Sequence, residues 1–183
     1  MDASLVDLVR RALPWPAEAK LRVRVGDARQ ALGDARDASY DLILSDVFAG
    51  ARTPAHLASV EFAAEVARVL APDGLFLVNI ADGPPLRYAR AQVATVGAVL
   101  PRACLIADAA VLRGRRYGNL VLVAGRVDPP VPELTRRTAG DWFPGRVLSA
   151  GDLDRFAGGA RVVVDASAKP STSPPPGTFG TPW

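Results

Sequence analysis

The chain has 183 residues, room for one α/β domain with a core and little more. It is globular in composition, 49% apolar and 22% charged, and its net charge of +3 comes from arginines spread along the chain, which is no footprint of nucleic-acid binding. One cysteine excludes an internal disulfide, and a single histidine beside it argues against zinc. With no apolar run near the ~20 residues of a bilayer span and no basic-then-apolar leader, a cytoplasmic protein with no metal, membrane or nucleic-acid partner is expected.

Ser4 to Leu13 reads as an amphipathic helix with Leu5, Leu8, Val9 and Ala12 on one stripe, stopped by Pro14-Trp15-Pro16. Leu21 to Val25 alternates apolar and arginine, the pattern of a strand exposed on one side. Gly26-Asp27-Ala28 ends it, and a short helix follows around Gln30–Leu32. Tyr40 to Ser45 has Leu, Ile and Leu in a row, so a strand covered on both faces is predicted, with Asp46 at its carboxyl end. Open α/β sheets place their ligand crevice there. A helix is expected from Pro54, capped by Thr53, to about Leu70, then a Pro72-Asp73-Gly74 turn and a third strand, Leu75 to Ile80. That strand also runs into a carboxylate loop, Asp82-Gly83-Pro84-Pro85, before a helix over roughly 86–100. Ala103–Ala107 and Leu120–Ala124 should form an antiparallel hairpin closing the sheet, joined through a solvated turn with three arginines in Arg113–Arg116. The composition divides the chain into a domain over 1–127 and a Pro-rich extension over 128–183. The extension holds a short helix at Ala150–Phe156 and a strand-like Arg161–Val164. Its last stretch, Lys169 to Trp183, is too poor in apolar residues to order itself unless it docks, with Phe179 and Trp183 as anchors.

Three pieces together, Gly26-Asp27-Ala28, Tyr40-Asp41-Leu42-Ile43-Leu44-Ser45-Asp46 and Leu70-Ala71-Pro72-Asp73-Gly74-Leu75-Phe76, with Tyr117-Gly118 before the final strand, resemble the spermidine synthase (aminopropyltransferase) family. That family belongs to the class I S-adenosylmethionine-dependent methyltransferases. The resemblance covers about residues 2–125. It implies a Rossmann-like α/β fold with a mostly parallel sheet and a C-terminal antiparallel hairpin. It implies S-adenosylmethionine or its decarboxylated form as co-substrate, no metal, a small-molecule amine or other nucleophile as partner, and a homodimer. By the same resemblance Asp27 and Ala28 would contact adenine, and Asp46 would be the general base that takes a proton from the attacking ammonium. Asp82 and Tyr117 would face the acceptor, although a turn role for Asp82 and hairpin packing for Tyr117 explain them equally well.

Two departures shape the expectation. The family's second acid, three residues after the base, is replaced by Ala49, and the loop carries Arg52 and His56 instead. Both would repel a diamine, so putrescine is a poor acceptor, and methyl transfer or a non-catalytic remnant of the fold are the alternatives. His56 reads as a surface residue. The Gly-rich first strand and turn of the fold are not found in the sequence, and Asp2 aligns just past the expected ribose ligand. A truncated or mis-set start is therefore expected. Its structural consequence is either an uncovered edge on Tyr40–Ser45 or Leu21–Val25 pairing there.

Overall fold

The computed structural model describes residues 3–14, 16 and 18–178; Asp2, Trp15, Phe179 and Trp183 lie outside them. The chain divides into two compact units, Met1–Ala35 and Arg36–Trp183. The first holds α1 (Ala3–Ala12) and α2 (Ala28–Gly33). Leu21–Val25 forms no strand: its apolar side chains are exposed, and no ladder partner gives the alternation a face to cover. Asp27 ends the irregular stretch by capping α2, its Oδ1 accepting from the amides of Arg29 (2.9 Å) and Gln30 (3.1 Å).

The second unit is built on a five-stranded sheet of order β1-β2-β4-β3-β5. The strands are β1 (Tyr40–Ser45), β2 (Leu70–Asp82), β3 (Arg102–Asp108), β4 (Gly118–Gly125) and β5 (Gly145–Ser149). Only β1 and β2 are parallel; the other three neighbour pairs are antiparallel, so the sheet is mixed where a mostly parallel one was expected. The predicted hairpin of β3 and β4 is present, but it does not close the sheet. β4 sits inside, between β2 and β3, and β5 from the Pro-rich extension forms the edge. The extension also holds α6 (Val131–Ala139) and α7 (Gly151–Ala157). The sequence hid α6 and β5 because both are short and thinly apolar; they exist because β3 offers a backbone edge and α6 packs on β5.

A layer of α3 (Val60–Val69), α4 (Arg87–Gly97) and α7 covers the sheet. Phe76, Val78 and Ile80 of β2 point into it, with Phe62 of α3 edge-on to Phe76 at 6.4 Å. Full burial of a side chain such as Phe76 contributes about 1.5–3 kcal/mol. The helix predicted from Pro54 begins later. A 3-10 turn, Ala55–Leu57, comes first, and Ser59 rather than Thr53 caps α3, its Oγ accepting from the Phe62 amide. The Pro72-Asp73-Gly74 segment lies inside β2 as an irregularity in its register with β1. Glycine is required there: a Cβ at Gly74 would stand 2.9 Å from the Tyr40 carbonyl oxygen.

Among the described residues β1 pairs only with β2 and is an edge of the sheet. Leu42 is 57% and Leu44 64% exposed, so the expectation of a strand covered on both faces fails and the uncovered edge is found. Among the described residues no helix is long and apolar enough to cross a membrane.

Candidate functional site

The parallel register of β1 and β2 sets Ser45 against Val78, and the next residues, Asp46 and Asn79, meet beyond the strand. Asn79 Nδ2 donates to Asp46 Oδ1 at 2.9 Å. The other Asp46 oxygen has no partner among the described residues, and the side chain is exposed. Both residues line a cavity of about 620 Å3 with Phe48, Ala51, Ala81, Arg116, Tyr117, Gly118, Asn119 and Thr178. Asn79 Oδ1 is buried and has no hydrogen-bond donor among the described residues.

The cavity walls come from three strand ends. Phe48 and Ala51 belong to the loop after β1, where Ala49 and Arg52 bridge across a tight turn. Gly50 and Ala51 both have positive φ, +56° and +63°, as a type I′ turn demands, and alanine holds the second position at some strain. On the far side, β4 pairs with β2 so that Asn119 stands opposite Ala81 and Gly118 opposite Asp82. A Cβ at Gly118 would lie 2.6 Å from Val111 Cγ2, so only glycine lets the chain enter β4 there. Arg116 contacts Asp108 at 3.5 Å near the surface, where solvent screening leaves such a pair weak. Asp108 also caps the short α5 (Ala109–Leu112), and the amides of Ala110 and Val111, with Arg116, hold its carboxyl below the usual range.

The last described stretch is ordered and straps these loops together. Ser171, fully buried, exchanges two hydrogen bonds with the Thr53 backbone: its Oγ accepts from the Thr53 amide (2.8 Å) and its amide donates to the Thr53 carbonyl (3.1 Å). Thr172 Oγ1 donates to Asp82 Oδ1 at 2.8 Å, and Tyr117 donates from its hydroxyl to the Thr172 carbonyl at 3.3 Å. Thr178 then reaches the cavity wall.

The sequence-predicted residues separate accordingly. Asp46 and Tyr117 line one cavity. Burial, and the nearby charge of Asp82, push the Tyr117 hydroxyl up. Asp82 is fully buried below it. Its Oδ1 also accepts from Gly83 N (2.8 Å) and its Oδ2 from Ala89 N (2.9 Å), so the turn role is the one its bonds describe. Asp27 and Ala28 belong to the first unit and line a cavity of about 320 Å3 there. Arg52 does not line this cavity: its Nε donates to the Ser171 carbonyl at 2.6 Å and holds the strap. The cation on the cavity wall is Arg116, which the sequence placed in a solvated turn. Asn79 and Asn119 were missed as well; their signal was a lone amide in each of two otherwise apolar strands.

No protein-family model and no curated protein matches the chain. Solved structures do. The fold is that of the class I S-adenosylmethionine-dependent methyltransferases. Human methyltransferase-like protein 13, solved in complex with SAH, superposes with a TM-score of 0.53 at 21% identity over 87% of this chain and 69% of its own. Spermidine synthase from Thermotoga maritima gives 0.54 at 14% identity over 90% of this chain and 56% of its own. At those identities the likeness is one of fold. The chain resembles a further solved structure more strongly. It is 34% identical to a probable spermidine synthase from Corynebacterium glutamicum ATCC 13032, with a TM-score of 0.81 over 89% of this chain. The chain spans 61% of that protein's length.

Proposed function

We propose that the chain carries the acceptor-side chemistry of a transferase that moves a group from S-adenosylmethionine, or its decarboxylated form, to an amine. When bound, that co-substrate supplies an electrophilic carbon beside a sulfonium. What this chain supplies is a proton acceptor. An ammonium has no lone pair to attack with until a base removes a proton, and the unpartnered oxygen of Asp46 is available to take it. Asn79 acts as a positioning residue by fixing the other oxygen.

The observation that carries the amine reading is the second Asp46 carboxylate oxygen, exposed on the cavity wall where it can take an ammonium's proton. The cavity has the size of a small-molecule site. Tyr117 forms its wall, while Asp82 acts through α4 and the strap rather than on the substrate. Asp27 and Ala28 are assigned to adenine, whose exocyclic N–H a carboxylate reads. Asp27→Asn tests that assignment alone, with weaker nucleoside binding expected at an unchanged melting point.

A second reading is methyl transfer to another nucleophile. Among the described residues Asp46 is the one carboxylate lining the cavity, and its charged companion is Arg116. A diamine would meet one carboxylate and one guanidinium, so putrescine is excluded from the proposal.

Thermal-shift titrations with S-adenosylmethionine, decarboxylated S-adenosylmethionine and methylthioadenosine test the nucleoside half. A transfer assay over a panel of amines tests the rest. Asp46→Asn should lower turnover by about 10²–10⁴-fold, the usual contribution of a general base, without loss of nucleoside binding. No shift with any of the three nucleosides would sink the transferase reading in favour of a binding or scaffold role.

A further inference from the structure

Between α4 and the turn after α7 lies a second cavity, of about 370 Å3, that the site above does not use. Arg87, Arg90 and Arg161 line it together with Gly158 and Gly159, and among the described residues no acidic side chain does. Arg87 and Arg90 are three residues apart on α4, so they share a face, and like charges at that spacing repel. Six other arginines of this unit face a carboxylate: Arg68, Arg102, Arg116, Arg136, Arg137 and Arg155. Among the described residues no hydrogen bond or ion pair reaches the guanidinium of Arg87, Arg90 or Arg161. Arg90 Nε is moreover buried without a partner.

The Arg90 guanidinium is nevertheless held in place. It stacks over the Phe156 ring at 5.2 Å from the centroid. The backbone of Gly158 comes so close that a Cβ there would lie 3.1 Å from Arg90 Nη1. Gly158 and Gly159 both have positive φ, +58° and +71°, and their lack of side chains keeps this wall of the cavity open. The negative end of α7 offsets about half a charge, against three guanidinium groups.

We propose that this cavity is a binding site for an oxyanion of the phosphate class, with Arg87, Arg90 and Arg161 as its ligands. Planar guanidinium groups match phosphate oxygens two at a time, which a chloride ion does not reward. The volume suits one or two phosphate groups, carried by a small molecule.

The test is calorimetric titration of the full chain at fixed ionic strength with inorganic phosphate, pyrophosphate, a 12-nucleotide RNA and, as reference, chloride. Pyrophosphate is expected to bind saturably, one per chain. Each hydrogen bond to a charged group is strong enough that losing one weakens binding about tenfold. The double variant Arg87→Ala/Arg161→Ala should therefore bind pyrophosphate at least about tenfold more weakly. Both of its side chains are exposed, so its unfolding curve should match the parent's. Arg90→Lys keeps the charge, loses the fork and should weaken binding as well. Pyrophosphate heats no larger than those of chloride, or binding unchanged in the double variant, overturn the proposal. RNA binding tighter than pyrophosphate and lost in the same variant overturns it too, by moving the site to nucleic acid.

Discussion

Replacing Asp82 by alanine should cost this protein a large part of its stability, although Asp82 touches no ligand. The carboxylate is fully buried and accepts three hydrogen bonds, from Gly83 N, Ala89 N and Thr172 Oγ1. Ala89 is itself buried, so its amide, in the first turn of α4, has no water to turn to. A buried donor left unsatisfied costs about 1–3 kcal/mol, and the half-buried Gly83 amide adds a smaller loss. Freeing Thr172 removes one more bond of about 1 kcal/mol. We expect Asp82→Ala to lose about 3–5 kcal/mol, against the 5–15 kcal/mol typical of a whole domain. Thr172→Val should lose about 1 kcal/mol, since it breaks the third bond alone. Urea unfolding followed by circular dichroism measures both. Limited proteolysis should show cleavage in 169–178 rising in both variants, because Thr172 is the strap's tie to β2. An Asp82→Ala protein within about 0.5 kcal/mol of the parent, the usual range for a surface substitution, would refute the reasoning.

Ala51→Gly should leave the fold intact and raise stability by about 0.5–1 kcal/mol, since glycine adopts the left-handed turn without strain; a lower denaturation midpoint would contradict this. Burial pushes the Cys104 thiol up to about 11, so the native protein should react slowly with a disulfide reagent at pH 8 and yield one thiol on unfolding. Burial likewise pushes the Tyr88 hydroxyl up to about 12. A folded value above the unfolded one means that its contribution, about 2–3 kcal/mol, is full below about pH 10 and lost as the pH rises to about 12. Unfolding curves should therefore be level in this respect from pH 8 to about 10 and show falling stability above it, and Tyr88→Phe should flatten the decline.

Local pattern was enough to find β2, β3, β4 and the apolar faces of α3 and α4, because a strand or helix that must bury side chains repeats them every second or every third to fourth residue. It also put Asp46 at the end of a strand, since a run of Leu-Ile-Leu followed by a carboxylate and glycine leaves few other readings. The same logic misjudged Leu21–Val25 and the cover of β1. Alternation states which residues could share a face, while a strand exists only where a second one supplies hydrogen bonds.

The partners of the site were decided by tertiary structure. Asp46 meets Asn79 across 33 positions, and Arg52 meets Ser171 across 119. Nothing in the chain near either residue announces the contact. Whether an arginine repels a substrate or ties down a strap depends on which way its loop turns after β1, and that turn is set by the bridge from Ala49 to Arg52. Composition and periodicity specified the elements and the chemistry available at their ends. The order of the strands, from β1 at one edge to β5 at the other, specified which of those ends stand within hydrogen-bonding reach, because a side chain acts over a few ångströms and the sequence records no distances.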